Sequence, residues 1–176
     1  QQTPTWTQHA SASIVPLPDD ELRRSFSLDE LSVRCIEPLA PEEINGRIAE
    51  QGLQYGPAFR LLQQVRCGTN EALGEAELPN ELEQEAPNHH IHPALMDTCL
   101  QTTAAFIKTR PGMVVLPTNL DRFDVFSKPA DRLCSYVRLC ESNEPPSRSF
   151  TVDIDLFAPD GEPVARLEGL RFQQID

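Results

Sequence analysis

The residues best suited to chemistry lie on one apolar segment. Asp97 is the one formally charged residue of positions 91–107, and its neighbours Ala94, Leu95, Met96, Cys99 and Leu100 are apolar. A carboxylate in such a wall is costly to ionise, so its pKa is expected to rise and leave it with a proton to give near neutral pH. Gln101 stands four residues on, which places it on the same face of a helix one turn later. An acid and an amide so spaced can hold a departing hydroxyl and orient the acid. Spacing alone favours the plainer reading, a carboxylate drawn to the positive end of a helix. Tyr55-Gly56-Pro57 reads as a turn whose tyrosine hydroxyl could face a site; a packed ring and a bend are the plainer reading. His89, His90 and His92 share one loop with no carboxylate or cysteine at ligand spacing, so they read as a solvated loop rather than a metal site. His92 immediately precedes the helix and is open to a role there. Cys99, two positions from Asp97, points to another face and reads as core. The chain contains no phosphate-binding glycine loop, no GxSxG and no HExxH.

The elements that must position these groups follow from periodicity. Positions 91–107 are apolar nearly all round, as a buried helix would be, with Pro93 at a position where a helix tolerates it and Arg110-Pro111-Gly112 as its end. Pro41-Glu42-Glu43 opens an earlier helix with Ile44 and Ile48 on one face, ending near Gly52. Strands are predicted at 61–67, 71–78, 113–117, 120–126, 133–140, 150–157 and 164–172. Gly68-Thr69-Asn70 and Pro159-Asp160-Gly161 are read as hairpin turns. Positions 79–88 read as an acidic loop. Positions 6–15 read as a short strand carrying His9 on its surface, and 16–40 as a linker. The expected fold is α+β: a curved antiparallel sheet of about five to seven strands around one buried helix, a hot-dog arrangement.

Composition narrows the function classes. The 176 residues carry 27 acidic against 15 basic side chains, a net charge of −12. A polyanion such as DNA would be repelled by that mean field, so no nucleic-acid partner is expected. No apolar run reaches the roughly 20 residues of a membrane span, and no signal peptide is visible; a cytoplasmic location is expected. Five cysteines, widely spaced and without a CxxC, read as reduced thiols. The chain does not begin with Met and is expected to be a piece of something longer.

Two motifs, taken in order, carry a resemblance. Tyr55-Gly56-Pro57-Ala58-Phe59, then His92-Pro93-Ala94-Leu95-Met96-Asp97-Thr98-Cys99-Leu100-Gln101, then Leu116-Pro117, resemble the C-terminal half of the dehydratase domain of modular polyketide synthases. Trp6-Thr7-Gln8-His9-Ala10 is similar to the closing strand of that domain's N-terminal half. The resemblance implies one half of a double hot-dog, at positions 41–176. It implies a hydro-lyase that removes water from a β-hydroxyacyl group to leave an α,β-unsaturated thioester. The substrate would ride on the phosphopantetheine of an acyl carrier protein, with no further cofactor and no metal. Asp97 would protonate the departing hydroxyl and Gln101 would help hold it. Tyr55, Gly56, Pro57, His92, Pro93, Leu116 and Pro117 would line the substrate. The family's catalytic His sits in a His-x3-Gly-x4-Pro motif of the other half. His9 does not supply it: Ser13 stands in place of the glycine, and Pro18 leads into Asp19-Asp20-Glu21-Leu22-Arg23-Arg24 rather than an apolar helix.

The resemblance also sets expectations about company. The partners it implies are an acyl carrier protein, the missing N-terminal half and the neighbouring synthase domains. The chain alone is expected to be inactive for want of the His, and to self-associate as a homodimer imitating the double fold. Arg60, Lys108 and Arg110 are candidates for meeting an acidic carrier protein, with ordinary surface charge as the plainer reading. Double-bond-shifting relatives often lack the Asp, whereas cyclising relatives keep both residues. The alternative is therefore a non-catalytic or cyclase-like hot-dog module, pyran-forming or product-template.

Overall fold

Small residues alternate with acids along positions 71–77, and that pattern explains how a sheet can close on a helix. The computed structural model describes residues 6–16, 24–107, 114–129, 131–140 and 149–175. In chain order the elements are α1 (Leu28–Arg34), β1 (Glu37–Leu39), α2 (Pro41–Glu50), β2 (Leu62–Gly68), β3 (Glu71–Glu77), α3 (Asn80–Glu83), α4 (Pro93–Gln101), β4 (Val114–Asn119), β5 (Arg122–Val125), β6 (Arg132–Leu139), β7 (Ser149–Phe157) and β8 (Pro163–Ile175). The strands form one eight-stranded sheet in the order β1-β2-β3-β6-β7-β8-β4, with β5 also paired to β8. Every pairing is antiparallel.

The helix α4 rests on the inner face of β3 and β6. Gly74 makes the close approach possible: a Cβ there would lie 2.2 Å from the Thr102 hydroxyl oxygen. Its cross-strand partner Ser135 donates to the Cys99 carbonyl at 2.9 Å, fastening the helix to the sheet. Leu95, Cys99, Ala76, Leu133, Val137, Ile154 and Leu156 close the core between helix and sheet. The expected hot-dog arrangement is thus present: an antiparallel sheet curved about one central helix.

The helix is shorter than its apolar segment. After Gln101 the chain tightens into a 3₁₀ turn over Thr102–Phe106. Two β-branched residues in succession disfavour the α-helix, and the Thr103 hydroxyl donates back to the Leu100 carbonyl at 2.7 Å. The acidic stretch 79–88 is also more ordered than a loop: Pro79 precedes α3, and Ala86–Asn88 forms a 3₁₀ turn around Pro87. β8 runs to 13 residues. It pairs with β7 on one side and with β5 and then β4 on the other, bending at Gly169, whose φ of +66° suits glycine.

Two segments differ locally from their sequence reading. Residues 6–16 form no strand and are exposed along their length, because no strand of this sheet takes them as a neighbour. Positions 16–40 are not merely a linker. Ser27 caps α1 by accepting the Glu30 N–H, and Asp29 and Glu30 suit its first turn. Leu31 and Cys35 then bury against Leu73, Cys134, Tyr136 and Phe157 on the outer face of the sheet. Arg34 secures the helix by pairing with Glu71, which also accepts the Tyr136 hydroxyl. β1 extends the sheet edge beside β2. Seven residues of helix with one buried leucine are too short to show a period in sequence. With β1 counted, the sheet has eight strands, more than expected.

Candidate active site

The site begins with the helix start. His92 is the N-cap of α4: its Nδ1 accepts the Ala94 N–H at 3.2 Å, and Pro93 follows at the first helical position. His92 is buried and stands 3.9 Å from Glu85 through Nε2, with the His89 ring edge-on at 5.4 Å between centroids. Its observed work is to hold the helix end.

One turn in, Asp97 is partly exposed while the flanking Leu95 and Cys99 are fully buried. Gln101 Nε2 donates to Asp97 Oδ2 at 2.9 Å, the same-face pairing that the spacing predicts. The Tyr55 hydroxyl donates to Asp97 Oδ1 at 3.4 Å from a different part of the chain. Tyr55 reaches it because α2 ends at Glu50 and the chain turns back through a 3₁₀ turn at Pro57–Phe59, which packs on α4. Burial, and then the Asp97 carboxylate beside it, push the Tyr55 phenol up to about 12. At neutral pH it is a donor. The carboxylate therefore has one oxygen on an amide N–H and the other on a phenol, at the boundary between core and solvent.

Phe59 has a part that sequence reasoning missed. Its carbonyl accepts from Gln101 Nε2 at 2.9 Å and from the Thr98 hydroxyl at 3.4 Å. Its ring is more than a third exposed and lies 6.0 Å from the Tyr55 ring. No side-chain pattern reports a main-chain acceptor; the one signal was its place in the Tyr-Gly-Pro-x-Phe turn. Gly56 and Pro57 are exposed and shape that turn. Leu116 and Pro117 lie on β4, paired with Gln173 and Phe172 of β8. Among the described residues no hydrogen bond joins either to the Tyr55, Asp97 and Gln101 trio. Pro93 is exposed at the helix start. Lys108 and Arg110 lie outside the described residues, and Arg60 is exposed just after the 3₁₀ turn. His9 is exposed in the segment without regular structure. Among the described residues no three His, Cys, Asp or Glu side chains are placed to hold a metal ion.

The family model described as "Polyketide synthase dehydratase N-terminal domain" matches residues 23–176. The chain belongs to the polyketide synthase dehydratase family. Relatives within synthases include GfsE of Streptomyces halstedii, 36% identical over 68% of this chain and 3% of that protein. PksM of Bacillus subtilis is 25% identical over 89% of this chain and 4% of that protein. The dehydratase domain from the CurJ module of the curacin polyketide synthase shares the fold with a TM-score of 0.80 at 24% identity. The match covers 87% of this chain and 55% of that one. The RzxB dehydratase domain of Pseudomonas fluorescens gives 0.72 at 25% identity, covering 85% and 54%. The chain thus spans about half of these solved dehydratase domains and a few per cent of the whole synthases. The described helices of this family member include none long and apolar enough to cross a membrane.

Proposed function

We propose that this chain is the C-terminal, acid-bearing hot-dog of a dehydratase that removes water from a β-hydroxyacyl thioester carried on an acyl carrier protein. The observation that carries the reading is the Asp97 carboxyl, held between Tyr55 and Gln101 at the edge of the core. The Asp-x-x-x-Gln spacing on the central helix also supports it. The description of the matching family model names an N-terminal domain. Against that stands the motif order, together with the lack of a Gly four residues after any of the four histidines.

In this reading Asp97 gives its proton to the β-hydroxyl oxygen as the Cβ–O bond breaks with its electron pair on oxygen, and water leaves. A general base from the other half takes the α-proton, and the electron pair of the broken Cα–H bond forms the double bond. Tyr55 and Gln101 keep the acid in place, and the exposed Phe59 ring lies beside Tyr55 at the approach. Two inactive variants of the CurK dehydratase are among the solved neighbours, one with a histidine replaced by phenylalanine and one with an aspartate replaced by asparagine. They are consistent with an enzyme that needs both an imidazole and a carboxyl group.

The test joins this chain to a hot-dog half bearing the His motif and follows dehydration of a β-hydroxyacyl carrier protein by mass spectrometry. Asp97→Asn is expected to lower turnover by about 10²-fold or more, the usual loss for a positioned acid, with the fold retained by circular dichroism. Full turnover by the Asn variant would overturn the reading. Chromatographic analysis of the product separates a linear alkene from a cyclised one.

A further inference from the structure

We propose that the main-chain carbonyl of Phe59 is a positioning group for the acid: it pins the Gln101 amide as a donor and so confines the Asp97 proton to Oδ1, the oxygen beside Tyr55. This inference deepens the dehydratase reading and depends on it only for the consequence in turnover.

Gln101 Nε2 carries two hydrogens, and each has an acceptor at 2.9 Å: Asp97 Oδ2 and the Phe59 carbonyl. A carbonyl can only accept. Turning the amide over would put Gln101 Oε1 against two other oxygens, with no hydrogen between it and the Phe59 carbonyl. The carbonyl is itself fixed. Within the 3₁₀ turn the Phe59 N–H donates to the Gly56 carbonyl at 3.0 Å, and the Arg60 N–H to the Pro57 carbonyl at 3.1 Å. Thr98, fully buried on α4, aims its hydroxyl at the same carbonyl.

Gln101 Oε1 supplies the independent sign that the nitrogen end decides the orientation. It is buried and has no donor among the described residues, although its residue is only 5% exposed. An amide free to choose would not leave its oxygen unpaired inside a protein.

The consequence concerns protonation. Oδ2 accepts the Gln101 N–H, and a hydrogen placed on Oδ2 would make it a hydroxyl oxygen, a weaker acceptor that loosens that bond. Oδ1 faces the Tyr55 hydroxyl, which can swing about its C–O bond and accept instead of donate. The proton therefore sits on Oδ1, and Tyr55, not Gln101, is the group that responds when Asp97 gains or loses it.

The test needs no turnover. Side-chain amide NMR of Gln101 is followed in the intact chain while Asp97 is titrated from ionised to protonated. Both Nε2 hydrogens are expected to stay protected from exchange throughout, while the Tyr55 ring resonances shift. Loss of Gln101 protection in step with Asp97 protonation would mean that the amide had turned over and the proton lay on Oδ2, which overturns the proposal. Thr98→Val, an isosteric change that removes the second donor to the carbonyl, is expected to speed exchange of the Gln101 hydrogens by about tenfold. Thr98→Ser is expected to leave it near the wild-type rate. Identical exchange in Thr98→Val and wild type also counts against the pin. Failure here leaves Asp97 as the acid untouched. Full turnover in Asp97→Asn, by contrast, removes the dehydratase reading and leaves the amide orientation standing.

Discussion

A phenol that donates to a partly buried carboxylate resists losing its proton, and this protein has two such tyrosines. Tyr55 is pushed up to about 12 by burial and by Asp97. Tyr136 is also pushed up to about 12, by burial and by the hydrogen bond to Glu71, with Arg34 and Arg138 pulling the other way. These are the only tyrosines in the chain, so the spectroscopic consequence is clean. Tyrosinate absorbance of the folded protein should be small at pH 10 and appear towards pH 12, whereas the denatured chain should titrate near 10. The folded values lie above the unfolded one. The stability they confer is therefore complete below pH 10 and is lost as pH rises through about 12. A folded-state midpoint near 10 would contradict the geometry around both hydroxyls. Tyr55→Phe removes one of the two donors to Asp97; with Asp97 as the proposed acid, it should slow the reconstituted dehydratase with little change in KM, because the phenol would then act on the acid rather than on the acyl chain.

At the scale of elements, the site depends on how deeply α4 settles into the sheet. Gly74 lies where any side chain would strike Thr102, and Ser135 ties the helix from the neighbouring strand. Gly74→Ala should destabilise the fold by about 1–3 kcal/mol, as overpacking of a filled core does, and should displace the helix start of the 3₁₀ segment rather than the Tyr55 turn. Chemical denaturation of the variant checks the first effect. An unchanged midpoint would mean that the helix yields freely, which the Ser135–Cys99 tie argues against. The second helix, α2, packs Ile44 and Ile48 on Leu62 and Val65 of β2 and on Ala104 and Ile107 beyond α4. Arg47 donates to the Ala104 and Ala105 carbonyls at 3.1 and 2.9 Å, closing the end of the 3₁₀ segment beside the Ile107 N–H, which also donates to Ala104.

At the scale of the whole molecule, several large apolar side chains lie exposed among the described residues. Trp6 is 97% exposed and Ile14 is fully exposed; Val15, Val33, Ile36, Phe123 and Val125 are exposed as well. The solved dehydratase domains that share this fold extend beyond the part this chain matches, which is 55% of each. On its own this chain is expected to self-associate as concentration rises, because exposed apolar area tends to find partners. Sedimentation velocity over a hundredfold concentration range measures this. Trp6→Ser together with Phe123→Ser should weaken it, and a clean monomer at the highest concentration would count against the expectation.

The sequence by itself determined the secondary structure that has a strong period and the pair on the central helix. Seven of the eight strands it predicted lie within a few residues of those observed, the one at 6–15 being the exception, and α2 and α4 start at Pro41 and Pro93 as read. Asp97 and Gln101 meet because four residues is one helical turn, a local rule needing no knowledge of the rest of the chain. What the tertiary structure alone decided is everything set by distant contacts. It brought Tyr55 to Asp97 across 42 residues and made the Phe59 carbonyl an acceptor for Gln101. It gave His92 a cap to hold, and it converted part of a supposed linker into a helix latched by Arg34 onto the outer face. Main-chain acceptors, cross-chain hydrogen bonds and the depth at which a helix seats depend on distances between remote atoms, and no spacing along a chain encodes those directly.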